Sequence, residues 1–449
     1  MNSLYSLIFA LLFAHGANAV EFKVREGVDF SKLDKYQKIY SLPYLASRIH
    51  NVFQHPTLDK DEIGKYLKWG EAGLTIMANP NEEPALAIKT NYFLEYGGHS
   101  APTESVNCFK KSRNPFRPLK GLKVALDPGH IGGKFSKLEK KYVLMDGGRI
   151  DFNEGDLNYY TALKLKLMLE RAGAEVFMTR GKESAALGSF DDWFSIDKNI
   201  MDAYDSWRLA KFGAHKDAEG RLADIALFKA ERETTFYVFF GREEMRKRAD
   251  LINEFNPDFT LLIHYNGYPG EYNRQGVQTR KTRDEHGQNV GTNTQNYNML
   301  FVPGSFMKNE LNEKHTQFHF LKLLLDNKII DGSIDLCTDL LGSVMKKFKD
   351  LKTADYGDPY YTADVSLPIV KKDGQQLRGI FHRNLDMLRF LNAPSCYMEL
   401  FVQDNFEEAE ILNTNNAKLK QHRVPKKILN VARSYFKGIK KYFKAKTCK

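Results

Sequence analysis

Several features that usually identify a binding site are missing from this chain of 449 residues. It has no G-x-G-x-x-G and no G-x-x-x-x-G-K-[ST] motif, so no nucleotide site of either type is predicted. It has only four cysteines and no C-x-x-C pair, which argues against a thiolate zinc site. The spacing of the cysteines does not select a pairing. Four free thiols, one disulfide and two disulfides are all compatible with it.

Acidic residues are missing from the end of the chain. From Ala417 to Lys449 there are twelve Lys or Arg and no Asp or Glu, and since the net charge is +10, the rest of the chain carries about −2. Apolar residues recur there at helical spacing: Ile428, Ala432, Tyr435, Phe436, Ile439 and Phe443. We expect this face to pack on a sheet, while the Lys-rich face is retained weakly by anionic envelope polymer or lipid headgroups.

Apolar runs of membrane-spanning length are also missing after the N-terminus. Leu7–Ala14 is a short apolar core, and Ala17-Asn18-Ala19 has the form of a cleavage site. We therefore predict a signal peptide over residues 1–19, with a buried N-terminal helix as the alternative. The mature chain is expected to be periplasmic or secreted, without a transmembrane segment. No nucleic-acid partner is predicted, because an exported chain without a readout motif has no such role.

The composition predicts a large folded core, since 42% of residues are hydrophobic and 27% are charged. We predict an N-terminal region over 20–118 that binds the wall, contacts the catalytic domain or only stabilises it. The catalytic domain is predicted over 119–449, with long insertions at about 181–246 and 268–376. Within the N-terminal region, Leu33–Phe53 and Glu62–Trp69 have helical patterns and Ala85–Tyr96 has a strand-like pattern.

A strand–helix–strand pattern opens the predicted catalytic domain. Lys123–Asp127 is a short apolar run of strand type, Asp156–Ala172 is an amphipathic helix, and Ala174–Arg180 is a second strand. Such an order is typical of an α/β fold. We predict a mixed, mainly parallel central sheet flanked by helices on both faces, with the N-terminal region appended to it.

Four side chains with catalytic chemistry fall at the boundaries of these elements or inside a strand. His130 follows the Pro128-Gly129 stop of the first strand, and Glu154 opens the long helix. His264 ends the apolar run Phe259–Ile263, and Glu399 lies inside another apolar run. Because open α/β sheets bind ligands at strand ends, we expect these groups to meet at one edge of the sheet.

Two imidazoles and one carboxylate are a known ligand set for catalytic zinc. We predict that His130, Glu154 and His264 bind one Zn²⁺ and that Glu399 is the general base, because burial raises the pKa of a carboxyl group towards neutrality. His315 and His319 form an i, i+4 pair that is a second metal candidate. No third ligand accompanies it, so a solvated or packing pair is the favoured interpretation.

The blocks that contain these residues resemble the zinc-dependent N-acetylmuramoyl-L-alanine amidases. The resemblance rests on Val124–His130, Glu154-x-x-x-Asn158, Ile263-His264-x-Asn266, Pro394–Leu400, Asn405 with Glu408, and a final helix around Arg433–Phe443. It implies zinc ligation by His130, Glu154 and His264 and a catalytic role for Glu399. It also implies hydrolysis of the amide between the muramyl lactyl group and L-alanine in peptidoglycan, during wall remodelling, daughter-cell separation or lysis.

This chain departs from the family pattern at Ile131, Tyr265 and Gly267 and has longer intervening segments. Relatives can carry an element there that blocks the zinc until an activator protein removes it. Glu310 and Glu313 are the acidic candidates for such an element, although solvated charges on a helix are the favoured interpretation. Two other functions stay open: a catalytically silent wall-binding or regulatory protein, and a zinc hydrolase of another wall peptide bond.

Overall fold

A computed structural model describes residues 29–77, 92–99, 108–110, 112, 114–130, 132–136, 141–180, 245–267, 270–272, 278–281, 296–312, 314–356, 366–371 and 373–448. The chain divides into two compact units. The described part of the first consists of residues 179–180 and 245–251. The second consists of Gly27–Met178 and Ile252–Lys449. The predicted signal peptide lies outside the described residues, and the predicted domain boundaries stay a prediction.

The α-helices of the described residues are α1 Leu42–Arg48, α2 Lys60–Gly64, α3 Glu154–Arg171, α4 Met245–Phe255, α5 Lys314–Leu325, α6 Asn327–Lys347, α7 Asp386–Phe390, α8 Phe406–Asn413 and α9 Lys426–Ala445. Short turns of 3₁₀-helix lie at Phe30–Tyr36, Gly133–Ser136 and Asp146–Gly148, and a π-helical turn lies at Ile49–Phe53.

The strands of the described residues are β1 Leu67–Trp69, β2 Gly73–Ile76, β3 Tyr92–Glu95, β4 Lys123–Pro128, β5 Tyr142–Met145, β6 Ile150–Asn153, β7 Glu175–Met178, β8 Phe259–Asn266, β9 Gly270–Tyr272, β10 Gln278–Lys281, β11 Tyr297–Val302, β12 Lys352–Thr353, β13 Ser366–Val370, β14 Gln376–Arg383, β15 Ser395–Val402, β16 Ala417–Leu419 and β17 His422–Val424.

One eight-stranded sheet organises the second unit. Its order is β13-β14-β11-β15-β8-β4-β7, with β12 beside β11. The pairs β4–β7, β4–β8, β8–β15, β11–β14 and β11–β12 are parallel, whereas β11–β15 and β13–β14 are antiparallel. Helices α3 and α6 pack against it. The predicted α/β class, with a mainly parallel mixed sheet flanked by helices, is confirmed.

The side chains of β8 alternate between the face that packs in the core and the face that carries the candidate site. Phe259, Leu261 and Ile263 belong to the main apolar core, which they share with residues of α3, α6 and α9. Because successive side chains of a strand point to opposite faces, His264 projects from the other face. Glu399 of β15 is paired with His264 in register, so it projects from the same face. The sheet thus fixes two of the four predicted site residues side by side.

A second apolar core joins the N-terminal region to residues Phe306–Ile330. The prediction of a helix over Glu62–Trp69 is wrong beyond Gly64, because Leu67–Trp69 pairs antiparallel with Gly73–Ile76 as a strand. The strand-like pattern at Ala85–Tyr96 is confirmed for Tyr92–Glu95, while Tyr96 lies just past the strand and residues 85–91 lie outside the described residues.

The C-terminal helix α9 packs on α6 and α3, and the apolar face predicted for it is confirmed. Ile428, Tyr435 and Ile439 are fully buried there. Two disulfides reinforce this layer. Cys337–Cys396 links α6 to β15, and Cys108–Cys448 ties the segment before β4 to the chain end. The sequence left this pairing open.

In the part of the chain that the structure describes, no helix combines the length and the apolar character that crossing a bilayer requires.

We predict opposite stability effects for two glycines of the α6–α9 layer. A Cβ on Gly438 would lie 2.8 Å from Leu340 Cα and 2.9 Å from Asp339 O, both backbone atoms, whereas a Cβ on Gly342 meets nothing within 4 Å. Gly438→Ala should therefore destabilise the chain by about 1–3 kcal/mol through overpacking. Gly342→Ala should stabilise it by about 0.5–1 kcal/mol through helix propensity. Urea denaturation measures both, and equal effects would contradict the packing described.

Candidate metal centre

His130 is placed by the tight end of β4. The Gly129 amide donates to Ile263 O at 2.9 Å, which continues the pairing with β8 for one more residue. His130 then adopts a positive φ of 58°, a conformation that is uncommon for residues other than glycine. Asn158 Nδ2 donates to Gly129 O at 2.9 Å and fixes the turn from α3. Two elements that are distant in sequence, β8 and α3, therefore fix the backbone that carries the His130 imidazole.

Gly129 is required because the His264 ring occupies the space beside it. A Cβ at this position would lie 1.9 Å from His264 Cε1 and 2.0 Å from Nε2. Any larger residue would displace the imidazole. Absence of a side chain therefore allows the two histidines to approach, and their ring centroids lie 4.8 Å apart with perpendicular planes.

Glu154 lies between the two histidines. It is the first residue of α3, and its amide donates to Lys141 O at 3.1 Å. Its Oε1 is 3.4 Å from His130 Nε2 and 3.2 Å from His264 Nδ1. One ligand atom from each of the three residues lies within 4.8 Å of the others. The structure therefore brings together the three predicted metal ligands.

The chemistry of this group fits a divalent cation. Glu154 is only 2% exposed, and a carboxyl group that is so buried resists ionisation. The opposing effects of His130, of the hydrogen bond with His264 and of Lys141 prevail, so the pKa of Glu154 lies well below its usual range. An ionised carboxylate beside two imidazole nitrogens is the ligand set of a catalytic zinc site.

Gln403 is a contact of the site that the sequence did not predict. A bulge between Leu400 and Val402, with φ 54° at Phe401, ends the regular pairing of β15. Gln403 Nε2 then donates to Glu154 Oε2 at 3.0 Å and to Tyr265 O at 3.1 Å. The one sequence signal was a polar residue directly after an apolar strand.

The departure from the family pattern at Tyr265 is explained by the face that this side chain occupies. Tyr265 lies in the main core, where its hydroxyl is 2.7 Å from Thr161 Oγ1. Its backbone amide donates to Glu154 Oε1 at 3.2 Å. The phenol ring thus faces away from the metal centre, and only the main chain contributes to it.

Glu399 lies beside His264 on the same face of the sheet. Tyr397, two residues earlier, stacks on the His264 ring with centroids 4.2 Å apart. Glu399 is half-buried, and loss of solvent raises its pKa to about 7, with the charge of Glu154 adding to the effect and His264, Lys141 and Arg383 opposing it. A carboxyl group of this kind exchanges protons near neutral pH.

The alternative sites suggested by the sequence do not join this cluster. His315 and His319 pack against Phe390, with ring centroids 4.9 and 5.1 Å away, which is the contact that the packing interpretation of the pair expects. Glu310 accepts hydrogen bonds from Met307 N at 2.8 Å and Asn384 Nδ2 at 2.7 Å, which engage it locally. Glu313 lies outside the described residues.

Two histidines and a carboxylate on the edge of a mainly parallel sheet define a candidate metal-dependent hydrolase. The family model described as N-acetylmuramoyl-L-alanine amidase matches residues 124–430, which is more than half of the chain. The chain therefore belongs to the N-acetylmuramoyl-L-alanine amidase family.

Several solved amidase structures are similar to this chain. The CwlD amidase from Clostridioides difficile, in complex with the GerS lipoprotein, is 15% identical over 72% of this chain and 100% of its own, with a TM-score of 0.36. Ami1 from Mycobacterium abscessus is 16% identical over 72% and 99%, with a TM-score of 0.34. AmiC2 of Nostoc punctiforme is 14% identical over 72% and 99%, with a TM-score of 0.33. No curated protein sequence matches the chain.

We predict that Gln403→Leu weakens metal binding about 10- to 100-fold, because a ligand carboxylate loses the donor that orients it. Zinc affinity is measured by competition with a chromophoric chelator. The control is Gln375→Leu, which changes an exposed glutamine in the turn before β14 and should leave the affinity unchanged. Equal affinities for both variants would show that the contact with Glu154 does not support the metal.

Proposed function

We propose that this chain is a zinc-dependent N-acetylmuramoyl-L-alanine amidase that hydrolyses the bond between the lactyl group of N-acetylmuramic acid and L-alanine. The proximity of His130, Glu154 and His264, with Glu399 beside them, is the observation that supports it most. Family membership supplies the substrate class. The three residues brought together are those to which the resemblance in the sequence assigns zinc ligation.

The roles of the four residues follow from their surroundings. A zinc ion held by His130, Glu154 and His264 would polarise the substrate carbonyl and acidify the attacking water. Glu154 stays ionised, since its neighbours hold its pKa well below the usual range. Gln403 keeps that carboxylate in place through its second oxygen. Gly129 leaves room for the His264 ring beside it, and Tyr397 stacks on that ring.

Glu399 is proposed to move the proton. Its carboxylate accepts a proton from the attacking water while the water oxygen bonds to the lactyl carbonyl carbon. The same carboxyl group then gives the proton to the nitrogen of L-alanine as the C–N bond breaks. The products are a lactyl carboxylate and a free amino end on the peptide. A carboxyl group with a pKa of about 7 suits both directions of this transfer.

The proposed setting is outside the cytoplasm. Residues 1–19 have the pattern of a signal peptide, and peptidoglycan lies in the periplasm or outside the cell. Wall remodelling, daughter-cell separation and lysis are the processes that such cleavage serves, and an activator protein stays a prediction.

Digestion of purified peptidoglycan tests the proposed reaction. We expect new free amino groups on L-alanine and intact glycan chains. EDTA, which removes the metal, should stop the release of amino groups. Added Zn²⁺ should restore it. Free amino groups on other residues would identify a hydrolase of another wall peptide bond. A chain that binds zinc and wall but releases nothing would be a catalytically silent binding protein.

We predict that site variants separate binding from turnover. His264→Ala should lose zinc, because it removes one of three ligands. Glu399→Gln should retain zinc and lose turnover by about 10²- to 10⁴-fold, because the proton acceptor is gone. Metal content is measured by atomic emission and turnover by amine release. Glu407→Gln, an exposed carboxylate on α8, is the matched control. Full activity of Glu399→Gln would contradict its assignment as the base.

A further inference from the structure

The outward face of α9 carries a row of cations, which we call the basic stripe. Its members are Lys426, Arg433, Lys437, Lys440 and Lys444, all exposed. At 3.6 residues per turn their directions fall within about 60° of one another, and the row is about 27 Å long. No carboxylate of the described part of the chain forms an ion pair with any of them.

The other cations of this helix are used differently. Lys427 pairs with the buried Glu408, while Lys441 pairs with Asp339 at 2.6 Å. Lys446, one residue past the end of the helix, pairs with Asp335 at 2.5 Å. Asp335 and Asp339 of α6 therefore pair with lysines that do not belong to the basic stripe. Within the described part of the chain, the charges of the basic stripe therefore have no acidic partner.

Apart from Lys444, which lies in the last turn where the helix dipole favours a cation, the basic stripe does not stabilise the helix that carries it. Lys437 lies four residues from Arg433 and three from Lys440, and like charges at these spacings repel. Lys426 stands at the positive end of the helix dipole, where the first turn contains no acidic residue. Packing of the opposite face holds the helix in spite of these effects. An anionic partner along the row would relieve them.

We infer that the basic stripe binds the carboxylates of peptidoglycan and holds the enzyme on its insoluble substrate. This inference rests on the proposed function, which supplies the substrate. Stem peptides present carboxylates repeatedly along an extended polymer, and a straight row of cations matches that arrangement. A lipid surface fits less well. Helices that lie on bilayers bury their apolar face in the lipid, whereas Ile428, Tyr435 and Ile439 are buried in the protein core.

Co-sedimentation of the full chain with purified peptidoglycan sacculi tests the inference. The variant Lys437→Gln/Lys440→Gln/Lys444→Gln should bind at least about fivefold more weakly at low salt, because each lysine loses its attraction to a charged surface. The wild-type affinity should fall between about 0.05 and 0.5 M NaCl as screening shortens the range of the charges. The control Lys32→Gln/Lys68→Gln/Lys371→Gln makes the same charge change at exposed sites elsewhere and should bind as the wild type does.

Two further arms identify the anion. Sacculi whose carboxyl groups have been converted to amides should lose the difference between wild type and stripe variant. Vesicles of anionic phospholipid attract the same lysines, but they should bind the wild type more weakly than untreated sacculi do, because the apolar face of α9 is buried and cannot insert. Stripe-dependent binding to vesicles but not to sacculi would overturn the inference in favour of a membrane. Equal binding of wild type and stripe variant to untreated sacculi would overturn it outright.

Hydrolysis of a soluble muramyl peptide separates this inference from the proposed reaction. The stripe variant should cleave the soluble substrate at the wild-type rate, since α9 contributes no residue to the metal centre. It should release fewer amino groups from intact sacculi. If neither protein cleaves the soluble substrate, the proposed function fails while the binding result stands. If both proteins release equal amounts of amino groups from sacculi, the inference about the basic stripe fails while the proposed reaction stands.

Discussion

The contact on which the site depends is that between the Glu154 carboxylate and two imidazoles. It is 3.4 Å from His130 Nε2 and 3.2 Å from His264 Nδ1, with little access to water. A buried charge of this kind is tolerated only when it is paired or bound to a metal. Each surrounding feature either supplies a partner for this carboxylate or holds a partner in place.

Four separate parts of the chain meet at this contact. The start of α3 provides the carboxylate, the ends of β4 and β8 provide the imidazoles, and the bulged end of β15 provides Gln403. The parallel pairing of β4, β8 and β15 makes this possible, because it brings these strand ends to one edge of the sheet. The fold and the chemistry are therefore linked through strand direction.

The sequence predicted the residues whose position depends on local pattern. His130 and His264 could be found because each follows a short apolar run that ends at a break, and Glu154 because it opens an amphipathic helix. Gln403 could not, since its contact depends on a bulge at Phe401 that no spacing rule encodes. The disulfide pairing was equally inaccessible, because it depends on where α6 lies relative to β15. At Glu62–Trp69, pairing with β2 overrode the helical pattern.

The C-terminal helix shows how one element meets two separate requirements. Its buried face completes the core beneath β8, where Tyr442 packs edge-on against Phe259 with centroids 5.6 Å apart. Since these contacts secure the fold, the exposed face is free to carry a charge pattern that the helix alone would disfavour. The concentration of positive charge after Ala417 is then a property of the surface rather than of the fold. Because the basic stripe faces away from the core, the proposed adsorption to the wall is separable from catalysis.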